Sequence, residues 1–402
     1  IIQLDGLSIE RLRDGVARGL LPTLGRWLSA GTHSLHALDS GLPSQTSSAQ
    51  ATLLYGVSSP PPGFRWFDRQ AGRPRTSRSP ADLRHAARAW PRQAGLLQQG
   101  AAITVALPAG ASQRTLVLSE GLRWTNLRAI PWLAALRLRW PIGAPKASIA
   151  AILRGVLVAG VLDTLTTAAA VAAIRAQPRP VFATLLGYDQ VAHHAGLDSK
   201  MADWALCRLD AALAGLESVA RADGARPNLV VFSDHGLSPC LSLHQLKGKS
   251  LQEIIGALTL TRTRAWHVAP SGNLAHVYAV DDGARAVLGT LAPALADVDG
   301  VGFVIRSGLI HGRNGTRDLR SGAIEGEDPL VAYGAAAPRA GQLAALAAHA
   351  DAGDLIVMGD VDADGRVIAF EEQRAAHGGL GGAQTEAFAL LPPGLRVDGE
   401  LD

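Results

Sequence analysis

Five short runs of continuously apolar character, at residues 1–4, 103–107, 180–186, 228–232 and 387–391, are separated by stretches with helical periodicity. A strand that is apolar at every position has to be covered on both faces, and helices between such strands supply the cover. The pattern therefore predicts an α/β fold, a mostly parallel sheet sandwiched by helices. Helices are expected at residues 9–30, 47–55, 149–176 and 200–220. In sheets of this kind ligands bind beyond the carboxyl ends of the strands, so the residues just past each apolar run carry the functional information.

Residues 256–370 have a different character. Strand-like runs at 274–280 and 301–305 flank a helical run at 284–296, and further strands are expected near 354–358 and 366–370. We read a small α+β insertion or cap at 256–370, a core whose first part is 1–255, and core completion by 371–402. With 402 residues, 48% of them hydrophobic, the chain is long and apolar enough for a large core and is not a disordered tail. Its two cysteines, Cys207 and Cys240, supply neither a disulfide framework nor a four-thiolate zinc site.

Chemistry-bearing residues follow the apolar runs. Asp5 closes the first. Asp189 and His193 follow the run at 180–186, Asp234 and His235 end the run at 228–232, and His377 opens a glycine-rich turn, His377-Gly378-Gly379-Leu380-Gly381-Gly382, before the last. Taken singly, an Asp-His pair after a strand is more often a loop cap than a ligand. Three carboxylates and three imidazoles on one sheet edge make the ligand set of a site for two divalent metal ions. Mixed nitrogen and oxygen donors suit zinc first, with manganese and iron behind it. Between Leu42 and Gln50 several hydroxyl residues precede an apolar helical run, where free backbone amides favour a bound phosphate; an ordinary Ser/Thr N-cap is the plainer account of that segment. There is no G-x-S-x-G elbow, and adjacent Ser233, Asp234 and His235 cannot form a hydrolase triad.

The order Asp5, Pro43-x-x-Thr46 with Gly56, Asp189-x-x-x-His193 with Gly196, Ser233-Asp234-His235-Gly236 and His377 resembles the alkaline phosphatase superfamily, and within it the type I phosphodiesterase/nucleotide pyrophosphatase branch. The resemblance covers roughly 1–110, 150–255 and 370–402. It implies an alkaline-phosphatase-like core, Thr46 as nucleophile, one metal on Asp189, His193 and His377, and another on Asp5, Asp234 and His235. The spacing of four that puts Asp189 and His193 on one helical face leaves the neighbouring His194 out of the set. It further implies hydrolysis of phosphodiester or pyrophosphate bonds through a phospho-threonine, with a small anionic phosphate ester or nucleotide as substrate. The family also carries an asparagine that holds a phosphoryl oxygen; its place here is Phe67, 21 residues past Thr46, which leaves Arg65 as the substitute phosphate clamp. A phosphomonoesterase, phosphonate hydrolase or phosphoryl transferase on the same site is the nearest alternative. A non-catalytic metal-binding or membrane-interaction module is the alternative of a different class.

The formal charge of +3 hides a split. Residues 61–150 carry 14 Arg/Lys against three acids, a net of +11, and the remainder carries a net of −8. Eight of those arginines lie between Arg65 and Arg92, and Trp124, Trp132 and Trp140 alternate with Arg123, Arg128, Arg137 and Arg139. A solvated basic face is the first reading of residues 65–146, an anionic membrane surface the second, and nucleic acid the least favoured. An extracytoplasmic or membrane-associated location is expected, with any anchor lying before Ile1. Within residues 155–174, the most membrane-like stretch, Asp163, Thr164, Thr166 and Thr167 favour a buried helix over a span.

Overall fold

The computed structural model describes residues 1–88, 90, 95–120, 156–176, 180–222, 229–259 and 266–395. Its first half supplies strands β1 (Ile2–Leu4), β2 (Ser34–Asp39), β3 (Arg65–Asp68), β4 (Arg73–Thr76), β5 (Ala101–Val105), β6 (Gln113–Val117), β7 (Val181–Leu185) and β8 (Val231–Phe232). The helices of that half are α1 (Ile9–Ala17), α2 (Pro22–Ser29), α3 (Thr46–Tyr55), α4 (Pro80–Ala87), α5 (Asp163–Ala176), α6 (Gly187–Ala195) and α7 (Lys200–Ala222).

One seven-stranded sheet has the order β2, Glu386–Leu391, β8, β1, β7, β5, β6. The pairings β8–β1–β7–β5–β6 are parallel, while Glu386–Leu391 runs antiparallel to both β2 and β8. Leu4, Ile103, Ala183, Leu185, Val231, Phe388 and Leu390 are buried between layers of helices, as the uninterrupted apolar runs require. This is the α/β sandwich expected, with local departures. The strand placed at 103–107 starts two residues earlier, and the single helix expected over 9–30 is two, because Gly19 adopts φ 71° and Pro22 opens a new helix. The edge strand β2 escaped notice: it has no apolar run, since neither of its faces is fully buried.

A second seven-stranded sheet, antiparallel throughout, has the order Trp266–Ser271, Leu274–Ala279, Leu355–Gly359, Val301–Arg306, Leu309–Gly312, Gly315–Asp318, Ile324–Gly326. Asp282–Ala296 packs on it through Leu288, Ala292 and Leu295. Hydrogen bonds tie this sheet to the first half. Phe64 N donates to Ser271 Oγ at 2.9 Å, and buried His276 takes Gly353 N on Nδ1 at 3.0 Å while its Nε2 donates to Pro62 O at 2.9 Å.

The apolar stretch Ala159–Ala176 is long and apolar enough to cross a membrane by length and composition. A third of the stretch is buried, and its threonines bond within the protein. Thr164 Oγ1 donates to Gly160 O at 2.6 Å, Thr167 Oγ1 to Asp163 O at 2.7 Å, and Thr166 meets Thr104 at 2.6 Å, while Ala159, Ala170 and Ala173 join the core.

The basic segment is paired partly with acids distant in sequence, Glu371 and Asp354, and partly with its own, Asp68 and Asp82. Arg65 pairs with Glu371 (2.6 Å), Arg69 with Asp354 (3.1 Å), and Arg73 and Arg75 with Asp82 (2.8 and 3.0 Å); Arg75 Nε also donates to Asp68 (2.6 Å). Arg92 and the whole Arg/Trp stretch from Arg123 to Trp140 lie outside the described residues. Cys207 is exposed and Cys240 half-buried, and both are free thiols.

Candidate metal centre

Four loops at the carboxyl ends of the central strands bring the chemistry together. β1 delivers Asp5, and β8 delivers Asp234 and His235. β7 runs through Leu186 into α6, which carries Asp189 and His193 one turn apart. The turn before Glu386–Leu391 carries His377. Two groups result: Asp189, His193 and His377, and Asp5, Asp234 and His235, with the donor atoms of each group within 4.8 Å of one another. The groups touch, because the His235 and His377 rings stack at 3.9 Å between centroids and 15° between planes. Gly6 makes the approach feasible: it sits at φ 72°, and a Cβ there would lie 2.8 Å from Asp189 Oδ1.

Each histidine is aimed by a backbone carbonyl. Nδ1 of His193 lies 2.7 Å from Ala375 O, that of His235 lies 3.0 Å from Gly236 O, and that of His377 lies 2.7 Å from Ser44 O. A carbonyl oxygen only accepts, so each Nδ1 carries a proton and each Nε2 faces inward, with a free lone pair at His235 and His377; at His193 burial is outweighed by Asp189, which raises its pKa and favours a second proton on Nε2 in the metal-free protein. His193 Nε2 meets Asp189 Oδ1 at 3.3 Å, and His377 Nε2 meets the same oxygen at 3.7 Å. His235 Nε2 is 3.4 Å from both Asp5 Oδ1 and Asp234 Oδ2. Asp189 Oδ1 and Asp234 Oδ2 are buried without a hydrogen-bond donor. Lone pairs facing unpartnered carboxylate oxygens in a buried space are unstable alone, and a cation between them satisfies both. The residues therefore fit two divalent ions.

Charge distributes unevenly over the two groups. Burial and then the neighbouring Asp234 and Asp189 charges push Asp5 far above the usual carboxylate range. Burial also pushes Asp234 up to about 6, against a hydrogen bond shared with Asp5 and with the Asp189 charge adding to the rise. At Asp189 burial works upward too, but His193, His377 and His235 outweigh it and hold the carboxylate well below its ordinary value. Burial lowers His235 to about 4 and His377 to about 3, so both are neutral at pH 7, the form in which imidazole binds metals.

Thr46 is the first residue of α3. Its Oγ1 donates to Asp5 Oδ1 at 3.0 Å and lies 3.3 Å from His235 Nε2. Gln45, extended before it, makes no side-chain cap, so the first-turn amides of α3 have no local acceptor of that kind.

Residues 1–298 match the model of the type I phosphodiesterase / nucleotide pyrophosphatase family. The chain belongs to this family. It is accordingly a hydrolase of phosphoric ester bonds, and its fold extends to solved structures of low identity. Phosphonoacetate hydrolase from Sinorhizobium meliloti 1021, in complex with phosphonoacetate, aligns with a TM-score of 0.58 at 16% identity, over 98% of this chain and 90% of that one. Murine ectonucleotide pyrophosphatase / phosphodiesterase 5 aligns with a TM-score of 0.58 at 14% identity, over 98% and 88%, and an inactive form of it in complex with AMP aligns equally well. No curated protein matches the sequence.

In this phosphodiesterase-family chain all six expected ligands and Thr46 converge. Arg65 stands differently: its Nη1 donates to Pro270 O at 3.0 Å and to Glu371 Oε1 at 2.6 Å, and Glu371 in turn accepts from Gly272 N at 2.9 Å. Its charge is thus answered by Glu371, which the turn between the first two strands of the second sheet holds in place. Phe67 packs its ring 5.6 Å from His267 and 5.7 Å from Tyr278, filling an aromatic contact where the family's asparagine is absent. Sequence reasoning passed over Ser44 and Gln384. Ser44 Oγ donates to Gly379 O and accepts from Gly378 N, both at 2.9 Å, locking the His377 turn. Gln384 grips the same turn through Leu380 O and Gly381 O at 3.0 Å each. Ser44 lies in the hydroxyl-rich segment before α3, where nothing in the sequence separates a turn lock from a nucleophile or a cap, and Gln384 carries no sequence signal. The second sheet also supports this turn, since a Cβ on Gly272 would strike His377 O.

Proposed function

We propose that this chain cleaves phosphodiester or pyrophosphate bonds of a small anionic substrate such as a nucleotide, through a phospho-threonine on Thr46 at a two-metal site, with zinc as the first candidate metal. The observation that carries this is the pair of three-residue groups with inward Nε2 atoms and donor-free carboxylate oxygens, one of them in contact with Thr46 Oγ1. Asp189, His193 and His377 would hold one ion and Asp5, Asp234 and His235 the other. When bound, two such ions supply Lewis acidity to the attacking and leaving oxygens of an in-line displacement.

The chain's own residues do the rest. Asp5 Oδ1 holds the Thr46 proton on the 3.0 Å hydrogen bond and so fixes the direction of the Oγ1 lone pairs. The uncapped amides at the start of α3 offer donors to phosphoryl oxygens. Thr46 Oγ1 would then release its proton to solvent and bond to phosphorus as the bond to the leaving oxygen breaks, and water would later add to phosphorus, split the Oγ1–phosphorus bond and return a proton to Thr46. Support for a small phosphorus-containing anion comes from the two structural neighbours, one bound to phosphonoacetate and the other to AMP.

A second reading, phosphomonoester or phosphonate cleavage on the same site, is favoured by Phe67, which removes a polar contact to the phosphoryl group. Turnover of bis-p-nitrophenyl phosphate, p-nitrophenyl phosphate and phosphonoacetate by the metal-loaded protein separates the two. The diester is expected to lead, and Thr46→Ala should lower its kcat by at least about 10³-fold, the scale on which loss of a nucleophile acts. Equal turnover by Thr46→Ala, or none by the wild type on a wider panel of phosphate esters, would overturn the proposal.

A further inference from the structure

The ligand helix α6 begins without a cap of its own. Leu186, its N-cap residue, has no side chain that can accept, and the first amides of a helix need acceptors from elsewhere. They find them 23 residues upstream. Asp163, the first residue of α5 and 7% exposed, accepts from Leu186 N on Oδ1 and from Gly187 N on Oδ2, each at 3.0 Å. A carboxylate there also opposes the positive end of the helix dipole. The fit leaves no slack, because a Cβ on Gly187 would strike Asp163 Oδ2 and the Ala159 backbone. Asp163 is itself anchored, with its carbonyl taking Thr167 Oγ1 at 2.7 Å. Asp189 follows two residues after the capped amides and His193 one turn later.

We infer that Asp163 is the positioning residue of one metal group: by fixing the start of α6 it sets where Asp189 and His193 stand, while Asp5, Asp234 and His235 do not depend on it. The inference rests on the two-metal reading above. It also gives a use to the one charged residue interrupting the apolar stretch at 155–174, which the rest of the site leaves unexplained.

The test uses the full chain, stripped of metal and titrated with zinc against a competing chelator. Wild type should take up two ions. Asp163→Asn, which keeps one acceptor, should bind one of them about 10-fold more weakly, and Asp163→Ala up to about 100-fold, the range for loss of a group that orients a ligand, with the second affinity unchanged. Wild-type affinities at both sites, or an equal loss at both, would overturn the inference. If the wild type takes up no zinc or other transition metal, the two-metal reading fails instead, and the positioning role is judged on hydrogen exchange of the metal-free protein. There the Leu186 and Gly187 amides should be protected in wild type and exchange at least about 10-fold faster in Asp163→Asn, as one lost hydrogen bond allows. Unprotected amides in the wild type, or unchanged rates in the variant, would reject the role. Should Asp163→Ala not fold, the near-isosteric Asp163→Asn and the wild-type exchange data decide.

Discussion

The two ligand groups are built by different means. Asp5, Asp234 and His235 sit directly on the ends of adjacent central strands, at 4% exposure or less, so the hydrogen-bonded sheet itself sets their spacing. Asp189, His193 and His377 come from a nine-residue helix and a glycine turn, and each of these is held by side chains elsewhere: Asp163 for the helix, Ser44 and Gln384 for the turn. The first group inherits its geometry from backbone pairing, whereas the second depends on a few polar contacts. The electrostatics divide in the same place, with Asp5 and Asp234 held above the ordinary carboxylate range and Asp189 below it.

The largest expected effect comes from breaking one group outright. Asp234→Ala and His193→Ala should each leave about one equivalent of transition metal where the wild type carries two, measured by elemental analysis, with kcat down by about 10³-fold or more because both ions act on one displacement. Unchanged metal content in either variant would dissolve that group. Ser44→Ala probes the contrast at smaller scale. It deletes the hydroxyl bonds to Gly378 and Gly379 but keeps the Ser44 carbonyl that orients His377, so one ion should bind about 10-fold more weakly and the other as before. Equal weakening of both ions would erase the distinction between strand-held and contact-held ligands.

The smallest effect is the most specific. A carboxylate whose folded pKa is raised costs stability above that pKa, and the cost fades as pH falls through it towards the unfolded value of about 3.9. A carboxylate whose folded pKa is depressed stabilises above the unfolded value, and that contribution is lost on acidification. In the metal-free protein at pH 7, Asp5→Asn should therefore raise Tm and Asp189→Asn should lower it, each by a few degrees, about what 1–2 kcal/mol produces. Scanning calorimetry checks this, and shifts of the same sign would refute the electrostatic division. Asp5→Asn should also lose its advantage as pH falls, as the Asp5 carboxyl, held far above the ordinary range chiefly by burial, takes up a proton of its own.

Much of the candidate site is legible because Asp5, Asp189, Asp234 and His235 follow apolar runs, where a parallel sheet presents its loops, and because a spacing of four names a helical face. Asp5, Asp189, His193, Asp234, His235 and His377 all carry one of these marks or fall in the glycine turn. The orienting acceptors carried none: Ala375, Gly236 and Ser44 act through their carbonyls, which every residue possesses. Charge counted along the chain misled for a related reason. Arg65 and Arg69 look unbalanced in sequence but meet Glu371 and Asp354 across the fold, so the +11 segment is in part the complement of the acidic remainder. Arg65, expected at phosphate, makes a short contact to Glu371, a partner that sequence position alone does not reveal.

The three carbonyls that aim the histidines make the centre robust to genetic drift. No substitution at Ala375, Gly236 or Ser44 deletes a backbone oxygen, so the direction of each Nε2 is encoded by the path of the chain and survives as long as that path does. The side chains are constrained separately: Ser44 Oγ locks the turn, and a Cβ on Gly236 would strike Ala383 O. The fold, and with it a chain path of this kind, is still recognisable at 14–16% identity.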